Sequence, residues 1–239
     1  TLSTFFSGKD FGVDILGALE PGAQLVVTDN QFVDDAPQPE IIFPAFAIVG
    51  TLQNSKQMQA ELRRIFISFV GFLNVVGAME GNPQLDIELV DSKKDHMITT
   101  SFIPPLVGQP ISVQYNFSPT ILFKDDQLIL SSTRLLAEQL RDGNHAAEPA
   151  KSLDNKTNWT TNSQLTLTAA PLAVILRKNR EILIINNMLE NSSAREEAET
   201  QIDLLLSMVQ LTSALDIMIK STPKQLALSF ELKFQPDDK

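Results

Sequence analysis

Six apolar side chains, Met58, Leu62, Ile65, Phe69, Phe72 and Val76, recur at spacings of 4, 3, 4, 3 and 4. An α-helix brings residues so spaced onto one side, where a core can bury them. Asn54, with Gln57 three residues later, offers a cap at its start, and Gly81-Asn82-Pro83 stops it. The flanks are written in a different period. Phe43 to Leu52 is β-branched and aromatic, and Pro44 near its start marks a strand beginning or an edge. Leu85, Ile87 and Leu89 alternate with Asp86 and Glu88, Ser92 to Asp95 turns, and His96 to Ile103 returns. Residues 43–103 are thus expected to form a strand, a helix over 55–79 and a hairpin.

The same order recurs near the other end of the chain. Gln164 to Thr168 alternates as a strand, and Pro171 suits the first turn of a helix that runs to Glu190. Ser193-Ala194-Arg195-Glu196 fits a capping box, and Ala198, Ile202, Leu205 and Val209 give the next buried stripe. Leu215, Ile217 and Ile219 alternate, Ser221 to Lys224 turns, and Leu226 to Phe234 alternates back. Between the two units, Pro104, Pro105 and Pro110 mark a connector. Ser112 to Phe117, Thr120 to Phe123 and Leu128 to Leu130 read as strands, and Thr133 to Arg141 as a short helix before Gly143. Ahead of all this, Gly8 to Gly22 is glycine-rich, Gln24 to Thr28 alternates briefly, and Asp34 to Pro39 is a loop.

These periods predict an α+β protein in which antiparallel sheets carry long helices packed on one face, built as two pseudo-repeated strand–helix–hairpin units. Residues 1–141 form the first helix-on-sheet unit with its N-terminal segment and 163–239 the second. The polar stretch 142–162 is a linker or long loop, unless both units share one continuous sheet. The chain has 239 residues, which suits either arrangement.

Composition removes whole classes of chemistry. With no cysteine there is no disulfide, thiolate metal site or cysteine nucleophile. Only His96 and His145 are present, and a net charge of −10 lacks the basic footprint of a nucleic-acid binder. Asp34-Asp35 and Asp125-Asp126 lack the spacing of a calcium loop and read as solvated turns. Asp86 and Glu88 share one side of a strand and face water. Glu196, Glu197 and Glu199 suit the start of a helix, where the dipole favours negative charge. Ser221-Thr222-Pro223-Lys224 matches the S-x-x-K pattern but sits between strands, whereas that serine must open a helix. Arg177-Lys178-Asn179-Arg180 points around a helix rather than at one anion. Trp159 and His145 fall in the polar stretch, and the N-x-[ST] triplets at Asn116, Asn155, Asn158 and Asn191 carry little weight. No catalytic residue, cofactor or metal is therefore assigned. The apolar run Ile65 to Met79 lies between Arg64 and Glu80 and is shorter than the ~20 residues that cross a bilayer, so a core helix rather than a transmembrane segment is expected.

One resemblance is visible. Gly8-Lys9-Asp10-Phe11, Asp14 to Gly22 and Gln24-Leu25-Val26-Val27, followed by Pro44 to Val49, resemble a family of uncharacterised bacterial extracytoplasmic proteins with repeated helix-on-sheet modules, planctomycete-like in flavour. Tyr115 to Pro119, Leu128 to Thr133, Asn179-Arg180-Glu181 and Leu226 to Phe234 are similar to it as well. The resemblance implies a periplasmic or secreted location, tethered where a longer family member carries an anchor that this chain lacks. It brings no catalytic residue. Absence of cysteine suits an oxidising compartment and fits a cytosolic protein nearly as well.

The expected function is accordingly non-enzymatic: a binding or scaffold module of the cell envelope with a protein or envelope partner. Its apolar ligand or partner surface is expected at Phe66, Phe69, Phe72 and Leu73. The alternative is a carrier that holds an apolar ligand or lipid between helix 55–79 and the sheet.

Overall fold

A computed structural model describes residues 19–20, 23–32, 38–53, 55–92, 95–104, 111–143, 160–221 and 225–234. Asn54, Asp34-Asp35, Gly8 to Gly17, His145, Trp159 and Thr222 to Lys224 lie outside them. The fold is α+β, in two units, residues 1–145 and 146–239.

In the first unit, strands β1 (Gln24–Thr28), β2 (Ala45–Thr51), β3 (Leu85–Asp91), β4 (Asp95–Phe102), β5 (Thr120–Lys124) and β6 (Gln127–Ser131) form one antiparallel sheet. Its order is β1-β2-β6-β5-β4-β3. Helix α1 (Ser55–Met79) follows β2, and α2 (Arg134–Arg141) follows β6. The long helix packs on one face, where Met58, Leu62, Phe66 and Val70 meet Ile98, Ile121 and Phe123. The opposite face is not left to water. Leu136, Ala137 and Leu140 of α2 cover Ala47, Met97, Leu122 and Ile129 there.

Local chemistry sets the helix ends. Gly81 has φ 75°, a left-handed position that costs glycine nothing. The backbone bonds Asn82 N to Gly77 O (2.8 Å) and Gly81 N to Ala78 O (3.3 Å) close a Schellman motif around it, with Pro83 beyond. At α2, Thr133 Oγ1 accepts from Leu136 N and Ser118 Oγ accepts from Arg134 N at 2.8 Å, so two of its orphan N–H groups are satisfied.

Two expectations for this unit are corrected. The buried stripe of α1 is Met58, Leu62, Ile65, Phe66 and Val70, while Phe69 and Phe72 are 42% and 44% exposed. The stripe turns because 65–79 is apolar nearly all round, and a straight helix packed on a twisted sheet keeps the residues four apart in contact. Ser112 to Phe117 is not a strand but a 3-10 turn over Val113–Asn116. Asn116 Nδ2 donates to Val113 O at 2.9 Å and draws that segment into a ring.

The second unit holds β7 (Thr160–Thr168), α3 (Ala169–Lys178), α4 (Arg180–Asn191), α5 (Arg195–Leu211), β8 (Thr212–Ser221) and β9 (Leu226–Phe234), with sheet order β7-β8-β9. Ile184, Ala198, Ile202 and Leu206 form its helical core. Leu206 is buried and Leu205 is not, so the stripe runs at spacings of four. The basic cluster at 177–180 is split by Asn179, whose Nδ2 turns back to Ile175 O at 3.0 Å between α3 and α4. The box at Ser193 does not form: Ala194 caps α5, and Ser193 Oγ lies 3.1 Å from Asn187 Oδ1. Arg180 grips Asp203 through Nε and Nη2, both at 2.8 Å, which ties α4 to α5. On β9, Leu226, Leu228, Phe230, Leu232 and Phe234 are all exposed.

The two units share an order of elements but not a pairing. β7 lies directly beside β8, whereas β2 is separated from the β3–β4 hairpin by β5 and β6.

Candidate functional site

The residues singled out on α1 part company. Phe66 is 5% exposed and belongs to the core, and Leu73 packs partly against the same cluster. Phe69 and Phe72 face outward, and Ile67, Val75 and Met79 are exposed with them. No charged residue interrupts 65–79. By length and composition α1 could cross a membrane, with mean hydropathy 1.5 over an 18-residue window within Lys56–Met79. Its Met58, Leu62, Phe66 and Val70 are packed on the sheet, while only 22% of that window is buried.

A second feature was not singled out from the sequence. At the end of the sheet, a cleft of about 320 Å³ opens between the end of β4, the 3-10 turn and the start of α2. Its floor is Thr99 and Thr100, both 2% exposed. Thr120 Oγ1 donates to Ser118 O at 2.8 Å, so the 2.8 Å contact between Thr99 and Thr120 hydroxyls has Thr99 as donor. Thr100 Oγ1 donates to Pro119 O at 2.9 Å.

One wall is aromatic. Phe102 and Tyr115 meet at 5.6 Å with a 52° tilt, and Phe117 stacks on Phe43 at 6.1 Å. Tyr115 Oη donates to Ile103 O at 2.6 Å, and burial pushes its pKa above the usual phenol value. The ring positions are fixed by Asn116. Its Nδ2 donates to Ile41 O (2.8 Å) and Val113 O (2.9 Å), its Oδ1 accepts from Phe43 N (2.8 Å), and its own carbonyl accepts from Asn30 Nδ2 (2.9 Å).

The mouth is ionic. Arg134 Nε donates to Glu138 Oε1 at 2.9 Å and Nη1 to Glu88 Oε2 at 2.7 Å. The bond to Glu138 raises the Arg134 pKa, burial works against it, and the Glu138 and Glu88 charges add to the rise. Glu88 therefore faces water as its strand alternation requires, but on a cleft rim. Its neighbour on the same side, Asp86, accepts the backbone N–H of Ile87.

The remaining titratable candidates are simple. His96 Nδ1 lies 2.9 Å from Asp91 Oδ1, and Arg63 Nη2 is 3.5 Å from Asp91 Oδ2. Asp125 takes φ 50° in the β5–β6 turn. Glu196 and Glu197 sit in the first turn of α5. Among the described residues no cluster of three or more His, Asp or Glu could hold a metal.

Sequence reasoning missed the cleft because its residues come from separate segments, 30–32, 88, 99–102, 115–118, 133–135 and 138. The one local signal was Tyr115-Asn116-Phe117, an amide between two aromatic rings. No protein-family model matches this chain, and no curated protein or solved structure matches it significantly.

Proposed function

We propose that this chain is a non-enzymatic binding or scaffold module of the cell envelope that engages a protein partner through the outward flank of α1. One observation carries the reading. Phe72, Val75 and Met79 lie at i, i+3 and i+7 on the solvent side, beside Phe69 and Ile67, with 42–83% exposure and no intervening charge. Scattered exposed apolar residues need no explanation, but a continuous uncharged strip of this kind marks an interaction surface. The envelope location rests on the cysteine-free sequence and on the extracytoplasmic family pattern.

The carrier alternative has no comparable support. Met58, Leu62, Phe66 and Val70 pack between α1 and the sheet, and no residue of α1 lines the cleft.

A photo-crosslinking amino acid at Phe72 tests the proposal in envelope extract. The expected result is one discrete protein adduct. Excess unlabelled chain should compete it away, a Phe69→Asp/Phe72→Asp chain should not, and a crosslinker at exposed Glu40 should not form it. Lipid adducts alone, or equal adducts from both positions, would overturn it.

A further inference from the structure

We infer that the cleft between β4 and α2 binds a neutral polyhydroxylated ligand, one or two saccharide rings. The argument starts from which polar atoms remain available. Thr99, Thr100, Tyr115 and Asn116 have committed their protons within the fold. At the rim, Arg134 uses Nε and Nη1 on one oxygen of each carboxylate. That leaves Glu88 Oε1, Arg134 Nη2 and Glu138 Oε2, an acceptor, a donor and an acceptor on one ionic triad. Ser118 Oγ accepts from Arg134 N and keeps its own proton to offer.

Charge then selects among ligands. One guanidinium and two carboxylates sum to −1, so a phosphate or carboxylate ligand meets net repulsion. A cation would have to compete with Arg134, which already holds one oxygen of each carboxylate at 2.7 and 2.9 Å. A hydroxyl both donates and accepts, so vicinal hydroxyls match this triad without moving any charge. The C–H face of a sugar ring suits the half-buried rings of Phe102, Tyr115 and Phe117. A volume of about 320 Å³ stands at the small end of ligand sites.

The site is separate from the α1 flank, because no residue of α1 lines the cleft. Amide NMR of the full chain tests it by titration with glucose, galactose, N-acetylglucosamine and cellobiose, with inorganic phosphate and putrescine run alongside. At least one sugar should shift the amides of Thr99, Ser118 and Arg134 in a saturable way. Arg134→Met should weaken that sugar by about tenfold or more, as loss of a charged hydrogen-bonding partner does. Glu138→Gln, which keeps the shape, should weaken it less, and Phe69→Asp/Phe72→Asp should leave it unchanged. The spectrum itself reports whether each variant is folded. Shifts with phosphate or putrescine and none with any sugar, or sugar shifts untouched by both cleft variants, would overturn the inference.

Discussion

Asn74 holds both backbone groups of Leu85: its Oδ1 accepts the Leu85 N–H at 2.7 Å, and its Nδ2 donates to the Leu85 carbonyl at 2.8 Å. Leu85 opens β3, the strand at the end of the sheet order, so the side-chain amide acts as the missing neighbouring strand. Asn74→Ala removes both bonds at a half-buried position. The expected loss is about 1–3 kcal/mol, read as a lowered urea midpoint with an unchanged slope. A loss under about 0.5 kcal/mol would mean that water replaces the amide without cost.

Asn116 is the stronger test of the same kind, since it is 2% exposed and makes three side-chain bonds. Asn116→Ala takes this partner from the Phe43 N–H and from the carbonyls of Ile41 and Val113, three half-buried bonds. A destabilisation of about 2–4 kcal/mol is expected, larger than that of Asn74→Ala, because buried polar groups without partners are costly. Denaturant unfolding of the two variants side by side gives the ranking.

The turned stripe of α1 separates residues that the sequence alone groups together. Phe66→Ala should cost about 3–5 kcal/mol, as a large core truncation does. Phe69→Ala and Phe72→Ala remove exposed rings and should each stay within about 1 kcal/mol of the parent. Equal losses at all three sites in thermal or urea melts would contradict the orientation of the helix.

Acid should act on the first unit through Asp91. The hydrogen bond from His96 lowers its pKa below 3.8, burial opposes this, and the Arg63 charge adds to the lowering. A carboxylate depressed on folding stabilises the native state above its unfolded pKa. That contribution is lost as the pH falls through the lower folded value. Asp91 is 48% exposed, so solvent screening keeps the effect below about 1 kcal/mol. Asp91→Asn should therefore be less stable than the parent at pH 6, with the gap narrowing towards pH 2 in urea midpoints. A gap that does not change with pH would place the stabilisation elsewhere.

Order along the chain was legible because the period switches between 2 and 3.6 at recognisable stops, such as Gly81-Asn82-Pro83 after the long helix. The phase of that helix was not. With Ile65, Phe66, Ile67, Phe69, Val70, Phe72, Leu73, Val75 and Val76 all apolar, two different stripes satisfy the same spacing rule. Only the sheet that receives the helix chooses between them. Strand pairing was also hidden, since β2 takes β6 as its neighbour rather than the hairpin that follows it, and nothing local encodes that choice. The cleft depends on this pairing: Ser118, Glu88 and Arg134 meet only after the sheet has formed.

The pairing of β2 with β6 also sets a timetable for synthesis. Phe46 N bonds Ser132 Oγ across 86 positions of chain. At roughly 5–20 residues/s a ribosome needs about 4–17 s to deliver that partner. For that interval β2 has β1 on one edge and no partner on the other, and Ala47 and Val49, buried in the finished sheet, lack Ile129 and Leu136. The nascent chain is thus expected to need shielding while it waits, and a translational pause placed between β2 and β6 would lengthen the exposure.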